Sequence, residues 1–213
     1  MTADSIELRA AVIATALGMN AAGINRGRSG NVSARVDGGF VITPSGLPYS
    51  DTITDDIVHV ALDGQATGRH EPSTEWRFHR DIYRSRADAA AIVHTHAPFA
   101  TTLACVDRGI PAFHYMIAIA GGNDIRCAPY ATFGSQTLSD HALKALDGRR
   151  ACLLAHHGMI VIGASLADAL ALAIEVETLA EMYWRALQIG EPAILSDDEM
   201  REVTAKFTTY GKR

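Results

Sequence analysis

Cysteine is scarce and scattered. Cys105, Cys127 and Cys152 are the only 3 thiols in 213 residues, and no two form a CxxC pair. An odd, dispersed set excludes a disulfide framework and points to a reducing compartment. A basic excess is also lacking: 19 Lys and Arg against 24 Asp and Glu give a formal net charge of −5. Without a basic stripe, nucleic acid is excluded as the main partner. An anionic small molecule must then be held by local groups, because the overall field does not attract it. Long apolar runs are missing too: the stretch 167–174 is broken by Asp168 and ends at Glu175, too short for a membrane span. The start, Met1-Thr2-Ala3-Asp4, lacks the basic region of a secretory signal. A cytoplasmic protein with neither a membrane nor a nucleic-acid partner is the expectation. Four signatures are absent as well: GxGxxG after a strand, a GK[ST] loop, a GxSxG elbow and HExxH. Their absence removes Rossmann oxidoreductases, P-loop NTPases, α/β-hydrolases and zincins.

What remains is ordinary globular material, 48% hydrophobic and 20% charged, without repeats or linkers. One domain over residues 1–213 is expected. Helical spacing runs over 5–22, with Asp4 and Glu7 as an N-terminal capping pair. Residues 31–36 and 40–43 read as strands joined by Asp37-Gly38-Gly39. Further strands are expected at 57–62, 89–96, 151–154 and 159–162, and helices at 74–85, 165–189 and from Ser196, where Glu199 completes a capping box. Helices between and around the strands predict an α/β sheet covered on both faces, without a strict βαβ repeat.

Histidine is abundant, with 9 in the chain, and 4 of them fall in two tight groups. In Val93-His94-Thr95-His96 the imidazoles of His94 and His96 lie two residues apart, hence on one face of a strand, with Thr95 turned away. In His156-His157-Gly158 only one of the adjacent pair can join them, and Gly158 permits a tight bend. Three neutral imidazoles with an open position form the ligand set of a catalytic zinc or related divalent ion. Glu75 is the available carboxylate. It follows Pro72 and Ser73, which mark a helix start with Ser73 as N-cap. Glu75 and His79 also share a helix face and could form a metal pair of their own, but His79 more simply hydrogen-bonds across the helix. Three turns, around Gly30-Asn31, Ser45-Gly46 and Ser73-Thr74, offer backbone N–H groups and short donors that together could cradle a phosphate without lysine. Taken singly, each is no more than a turn.

The ordered set Gly30-Asn31-Val32-Ser33, Thr43-Pro44-Ser45-Gly46, the segment from Pro72 to His79, Val93-His94-Thr95-His96, His114-Tyr115-Met116 and His156-His157-Gly158 resembles the class II aldolase/adducin family over nearly the whole chain. The resemblance implies a three-layer α/β/α sandwich around a largely antiparallel sheet. It implies zinc, or another divalent ion, on His94, His96 and His157, with Glu75 as both resting ligand and acid/base. It places phosphate at Gly30, Asn31, Ser45, Gly46, Ser73 and Thr74, where Thr74 replaces a more common serine. Tyr115 would serve the aldehyde end as a catalytic phenol, with Phe133 and Tyr210 lining that end across a subunit boundary in a homotetramer. The implied reaction is retro-aldol cleavage of a ketose 1-phosphate, L-fuculose 1-phosphate first, to dihydroxyacetone phosphate and an aldehyde such as L-lactaldehyde. Another deoxy- or methylthio-ketose 1-phosphate, or a pentulose-phosphate 4-epimerase, is the alternative, and a non-catalytic adducin-like scaffold would lack the ligands. The chemistry is consistent. A divalent ion can stabilise the enediolate as a Lewis acid, and the 3 lysines, Lys144, Lys206 and Lys212, lie outside every cluster, which disfavours a Schiff base.

Overall fold

The computed structural model describes residues 2–207. The first helix, α1 (Ile6–Ala21), precedes four strands: β1 (Asn31–Val36), β2 (Gly39–Ile42), β3 (Val58–Ala61) and the short β4 (Ala66–Thr67). Then come α2 (Trp76–Ser85), β5 (Ala91–Thr95), α3 (Pro98–Ala104), β6 (Ile110–Pro111), β7 (Asp124–Ala128) and α4 (Gln136–Ala145). The chain continues through β8 (Ala151–Leu154), β9 (Gly158–Gly163), the long α5 (Leu166–Ile189) and α6 (Asp197–Phe207).

The strands form one sheet in the order β4-β3-β2-β1-β5-β9-β8-β7-β6. Among the described residues its ladders are antiparallel except for β7 with β8. Helices cover both faces, because the central strands are apolar on both. Val32, Val93, Leu153 and Val161 join one core with α1, α3 and α5. Ile92, Cys152, Leu154, Ile160 and Ile162 join the opposite core with α2 and α4. The expected sandwich with a largely antiparallel sheet is therefore present. Period-two alternation sends the odd residues of β1, among them Asn31 and Ser33, and the even residues of β5, including His94, to the α2 face. A one-residue register slip would move them all to the other side.

Two polar ties hold the layers that carry these residues. Arg35 of β1 donates to the carbonyls of Ala89 (2.7 Å), Tyr83 (2.9 Å) and Arg86 (2.7 Å), satisfying the C-terminal end of α2. The start of α3 has no capping side chain of its own and carries Pro at its first position. Glu177 of α5 supplies the acceptors instead, receiving the N–H groups of Phe99 (2.7 Å) and Ala100 (2.9 Å).

Three local expectations are corrected. Ser5, rather than an Asp4–Glu7 pair, caps α1 by accepting the N–H of Leu8, while Asp4 is drawn to Arg9 at 2.7 Å. Ser73 is not the N-cap of α2: the helix begins at Trp76, the cap position is Glu75, and the Ser73 hydroxyl accepts the Glu75 N–H at 3.4 Å. Gly39, expected in the first hairpin turn, already belongs to β2. The Ser196–Glu199 capping box forms as expected, with reciprocal bonds at 2.7 and 3.3 Å.

Candidate functional site

Four side chains converge where β1, β5 and β9 meet the start of α2. β5 carries His94, and His96 follows one residue past its end. The three-residue loop between β8 and β9 carries His157, and the cap position of α2 carries Glu75. One ligand atom from each lies within 4.8 Å of all the others. His94 Nε2 is 3.0 Å from Glu75 Oε2, His157 Nε2 is 3.1 Å from Glu75 Oε1, and His94 Nε2 is 3.2 Å from His96 Nε2. The three imidazole rings stand edge to face, their centroids 4.8 to 5.0 Å apart. Thr95 points away, its hydroxyl bonded to the Ile24 carbonyl and 3.2 Å from Asn25 Oδ1.

Backbone geometry makes this convergence possible at two glycines. A Cβ on Gly30 would come within 2.5 Å of the His94 carbonyl oxygen, so β1 could not approach β5. A Cβ on Gly158 would lie 2.5 Å from the Thr95 carbonyl oxygen and 3.0 Å from His96 Cδ2. The expected role of Gly158 as a bend residue is thus replaced by close strand approach. The left-handed position in that loop is His156, at φ +55°. A non-glycine residue held there is strained, and such strain concentrates at functional sites.

The donor set calls for positive charge. His94 Nδ1 faces the Met159 carbonyl oxygen at 2.9 Å and must donate to it. Its Nε2 therefore presents a lone pair to the Glu75 carboxylate and to His96, unless a second proton is added. Buried Glu75 Oε1 accepts no hydrogen bond. Burial pushes the Glu75 carboxyl up, but the His94 and His157 imidazoles outweigh it and hold the group well below the usual range. His94 is pushed down by burial, but Glu75 and the Met159 carbonyl together raise it, while His96 is lowered to about 4 by burial and its two imidazole neighbours. Lone pairs crowded this closely, one of them orphaned, are what a divalent cation would satisfy. The residues fit one.

Glu75 is held from behind. Asn31 Nδ2 donates to Glu75 Oε2 at 3.1 Å, and Asn31 Oδ1 faces His79 Nε2 at 2.6 Å. His79 Nδ1 meets Ser33 Oγ at 2.7 Å, which in turn meets the Tyr83 hydroxyl at 2.8 Å. His79 thus bonds to β1 and not, as expected of it, across its own helix, and it is not among the clustered ligands with Glu75.

The three expected phosphate turns come close together. Ser45 N donates to the Glu71 carbonyl at 3.0 Å and Ser73 N to the Thr43 carbonyl at 3.1 Å, stitching two of them at the Pro44–Pro72 bridge. Those two N–H groups are occupied. The Gly46 carbonyl accepts from Arg28 at 2.5 Å, with Gly46 at φ +73°. Thr74, Glu75, His96 and His157 line a cleft of about 290 Å³ together with Phe133, Tyr130 and His156. Sequence reasoning passed over Tyr130 and weighed His156 only as a possible metal ligand. Tyr115 is elsewhere, half-exposed in a groove with Met116, Ile119, Val203 and Phe207. Tyr210 lies outside the described residues.

Residues 10–184 match the family model described as Class II Aldolase and Adducin N-terminal domain. The chain belongs to this family. Among its relatives, the 5-methylthioribulose-1-phosphate/5-deoxyribulose-1-phosphate aldolase of Rhodospirillum rubrum is 56% identical over 211 residues, covering 99% of this chain and 96% of the relative. The L-fuculose phosphate aldolase of Escherichia coli K12 is 50% identical over 207 residues, covering 95% and 94%. A solved L-fuculose 1-phosphate aldolase superposes with a TM-score of 0.93 at 38% identity, covering 96% of this chain and 97% of that one. The expectation of a class II aldehyde-lyase therefore stands for this member of the class II aldolase family, and the His–Glu cluster suits the metal dependence of the class.

Proposed function

We propose that the chain cleaves a deoxy-ketose 1-phosphate to dihydroxyacetone phosphate and a short aldehyde. L-fuculose 1-phosphate, giving L-lactaldehyde, is the first expectation from the resemblance. The relatives' names widen it to 5-methylthioribulose and 5-deoxyribulose 1-phosphates, whose aldehydes also end in an apolar group. The observation that carries the reading is the convergence of Glu75, His94, His96 and His157, of which Glu75, His96 and His157 line a cleft.

His94, His96 and His157, with Glu75 as a fourth ligand at rest, would hold one divalent ion, and the imidazole set favours zinc. Bound there, the ion supplies Lewis-acid stabilisation of the charge that grows on the substrate's carbonyl oxygen. Glu75 takes and returns the proton at the enediol carbon. Gly30, Asn31, Ser45, Gly46, Ser73 and Thr74 bind the phosphate. With the N–H groups of Ser45 and Ser73 occupied, the serine hydroxyls, the Thr74 hydroxyl and the second N–H of Asn31 do the donating. That remote binding fixes the reacting carbon beside Glu75. Phe133, expected across a subunit boundary, lines the cleft of its own chain, and we assign it to the aldehyde end there. Tyr115 and Tyr210 complete it from a neighbouring copy in a homotetramer, which agrees with Tyr115 standing in a different groove of its own chain. We place this single-domain enzyme in the cytoplasm.

The test is metal analysis of the purified protein and aldehyde release from a panel of ketose 1-phosphates. Stoichiometric divalent metal and release of free aldehyde from one panel member support the reading. Epimerised sugar without free aldehyde would assign the epimerase instead, and full activity after metal stripping would overturn the metal assignment.

A further inference from the structure

His79 is completely buried and belongs to no ligand set, yet both of its ring nitrogens are engaged. We infer that His79 is a positioning residue for Glu75: with Ser33 and Tyr83 it forms a one-way run of hydrogen bonds that fixes which end of the Asn31 amide faces the carboxylate.

The direction follows from the donor inventory. Glu75 Oε2 can only accept, so the Asn31 atom 3.1 Å away must be the NH₂ nitrogen. Asn31 Oδ1 is then the atom 2.6 Å from His79 Nε2, which must carry the proton. A neutral imidazole with its proton on Nε2 accepts at Nδ1, so the Ser33 hydroxyl donates to it at 2.7 Å. Ser33 Oγ accepts in turn from the Tyr83 hydroxyl at 2.8 Å. Each link donates toward Glu75. Reversing the run would set the Asn31 oxygen against the carboxylate and require the opposite tautomer of His79. Burial agrees, since it holds His79 neutral, with a pKa lowered to about 3. Phe40 and Phe78 stack on the ring, at centroid separations of 6.3 and 4.7 Å, and keep water from substituting for a lost link.

The consequence concerns the two carboxylate oxygens. Oε2 is pinned by Asn31, whereas Oε1 has only His157 Nε2 beside it, at 3.1 Å. The chain thus fixes the plane of the carboxylate through Oε2 and leaves Oε1 turned toward His157. Asn31 cannot relay protons, so the run orients and does not conduct.

This inference rests on Glu75 being the base, and the experiment separates the two. With full-length, metal-loaded protein, solvent hydrogen exchange into dihydroxyacetone phosphate is followed for Glu75→Gln, His79→Phe, Ser33→Ala and Tyr83→Phe. Wild-type exchange in Glu75→Gln would overturn the base assignment itself. With Glu75→Gln defective, His79→Phe should lower kcat for exchange about 10- to 100-fold, the usual effect of removing a partner behind an active group. KM should stay within about threefold and metal content should not change, with smaller losses of kcat in Ser33→Ala and Tyr83→Phe. Unchanged kcat across the three, or a fall that added metal restores, would overturn the inference. Independently of folding of the variants, nitrogen–proton correlation NMR of the native protein should show His79 protonated on Nε2 alone. Protonation on Nδ1 would overturn it.

Discussion

His94 Nδ1 donates to the Met159 carbonyl oxygen at 2.9 Å, across 65 positions of sequence. The bond ties the ring to the neighbouring strand of the sheet, fixes its tautomer, and turns Nε2 toward Glu75, 3.0 Å away. Replacing His94 should therefore remove the best-oriented ligand. We expect His94→Ala to purify as a folded, assembled protein with little bound metal and no aldolase activity. Elemental analysis and size-exclusion chromatography check this; a metal-free variant with full activity would refute it.

Glu75→Gln keeps the shape of the carboxylate and one acceptor oxygen, so at saturating metal the ion should be retained. The loss should fall on proton transfer, about 10² to 10⁴ in rate, the usual contribution of a positioned base. Hydrogen exchange into dihydroxyacetone phosphate is the readout, and an unchanged rate would move the role to another residue.

Gly158→Ala tests strand approach. The added methyl would sit 2.5 Å from the Thr95 carbonyl oxygen, a backbone atom with no freedom to retreat, and 3.0 Å from the His96 ring. Overpacking of this kind costs roughly 1–3 kcal/mol. The melting temperature should fall and metal affinity with it, because His96 and His157 flank the displaced strand. An unaltered melting curve would argue that β5 and β9 separate easily.

Glu177 closes the start of α3, the helix that follows His96 directly. Glu177→Ala leaves the Phe99 and Ala100 N–H groups without their acceptors, at about 1–3 kcal/mol for the buried Ala100 group and less for the half-buried Phe99 group. Denaturant midpoints should drop, and Glu177→Gln, which keeps one acceptor oxygen, should recover part of the loss.

Asp81 joins α2 to α4 by accepting from Gln136 and Ser139, each at 2.7 Å, beside Arg80. Burial raises its carboxyl, but the Arg80, Gln136 and Ser139 bonds prevail and lower it. A depressed folded value means its stabilisation is complete above the unfolded value of about 3.9 and is lost as pH falls through the folded one. The stability gap between wild type and Asp81→Asn should thus be widest near neutrality and close below about pH 4 in urea titrations. A gap that widens with acid would contradict the sign.

The sequence made some of this legible and hid the rest for physical reasons. β5 was readable because a strand's alternation puts His94 and His96 side by side, and α5 because Ser165 and Gly190 bound 24 helical residues. α3 has only 7 residues, too few for a periodic signal, and β7 alternates Asp124 and Arg126 with buried residues at a half-exposed position near the sheet edge. Neither announced itself. The support behind Glu75 was hidden for another reason. In the sequence Asn31 offers only a phosphate donor in a turn, and His79 only a histidine bonded along its helix. Only the packing of α2 on β1 reveals that they bond to each other.

The sheet ends in two very short strands, β4 and β6, each of two residues. Another chain seeking to extend the ladder would find almost no open backbone at either rim, so growth by edge-to-edge polymerisation is blocked at its first step. Any association between copies is left to helices and loops, the same parts of the molecule that surround the cleft.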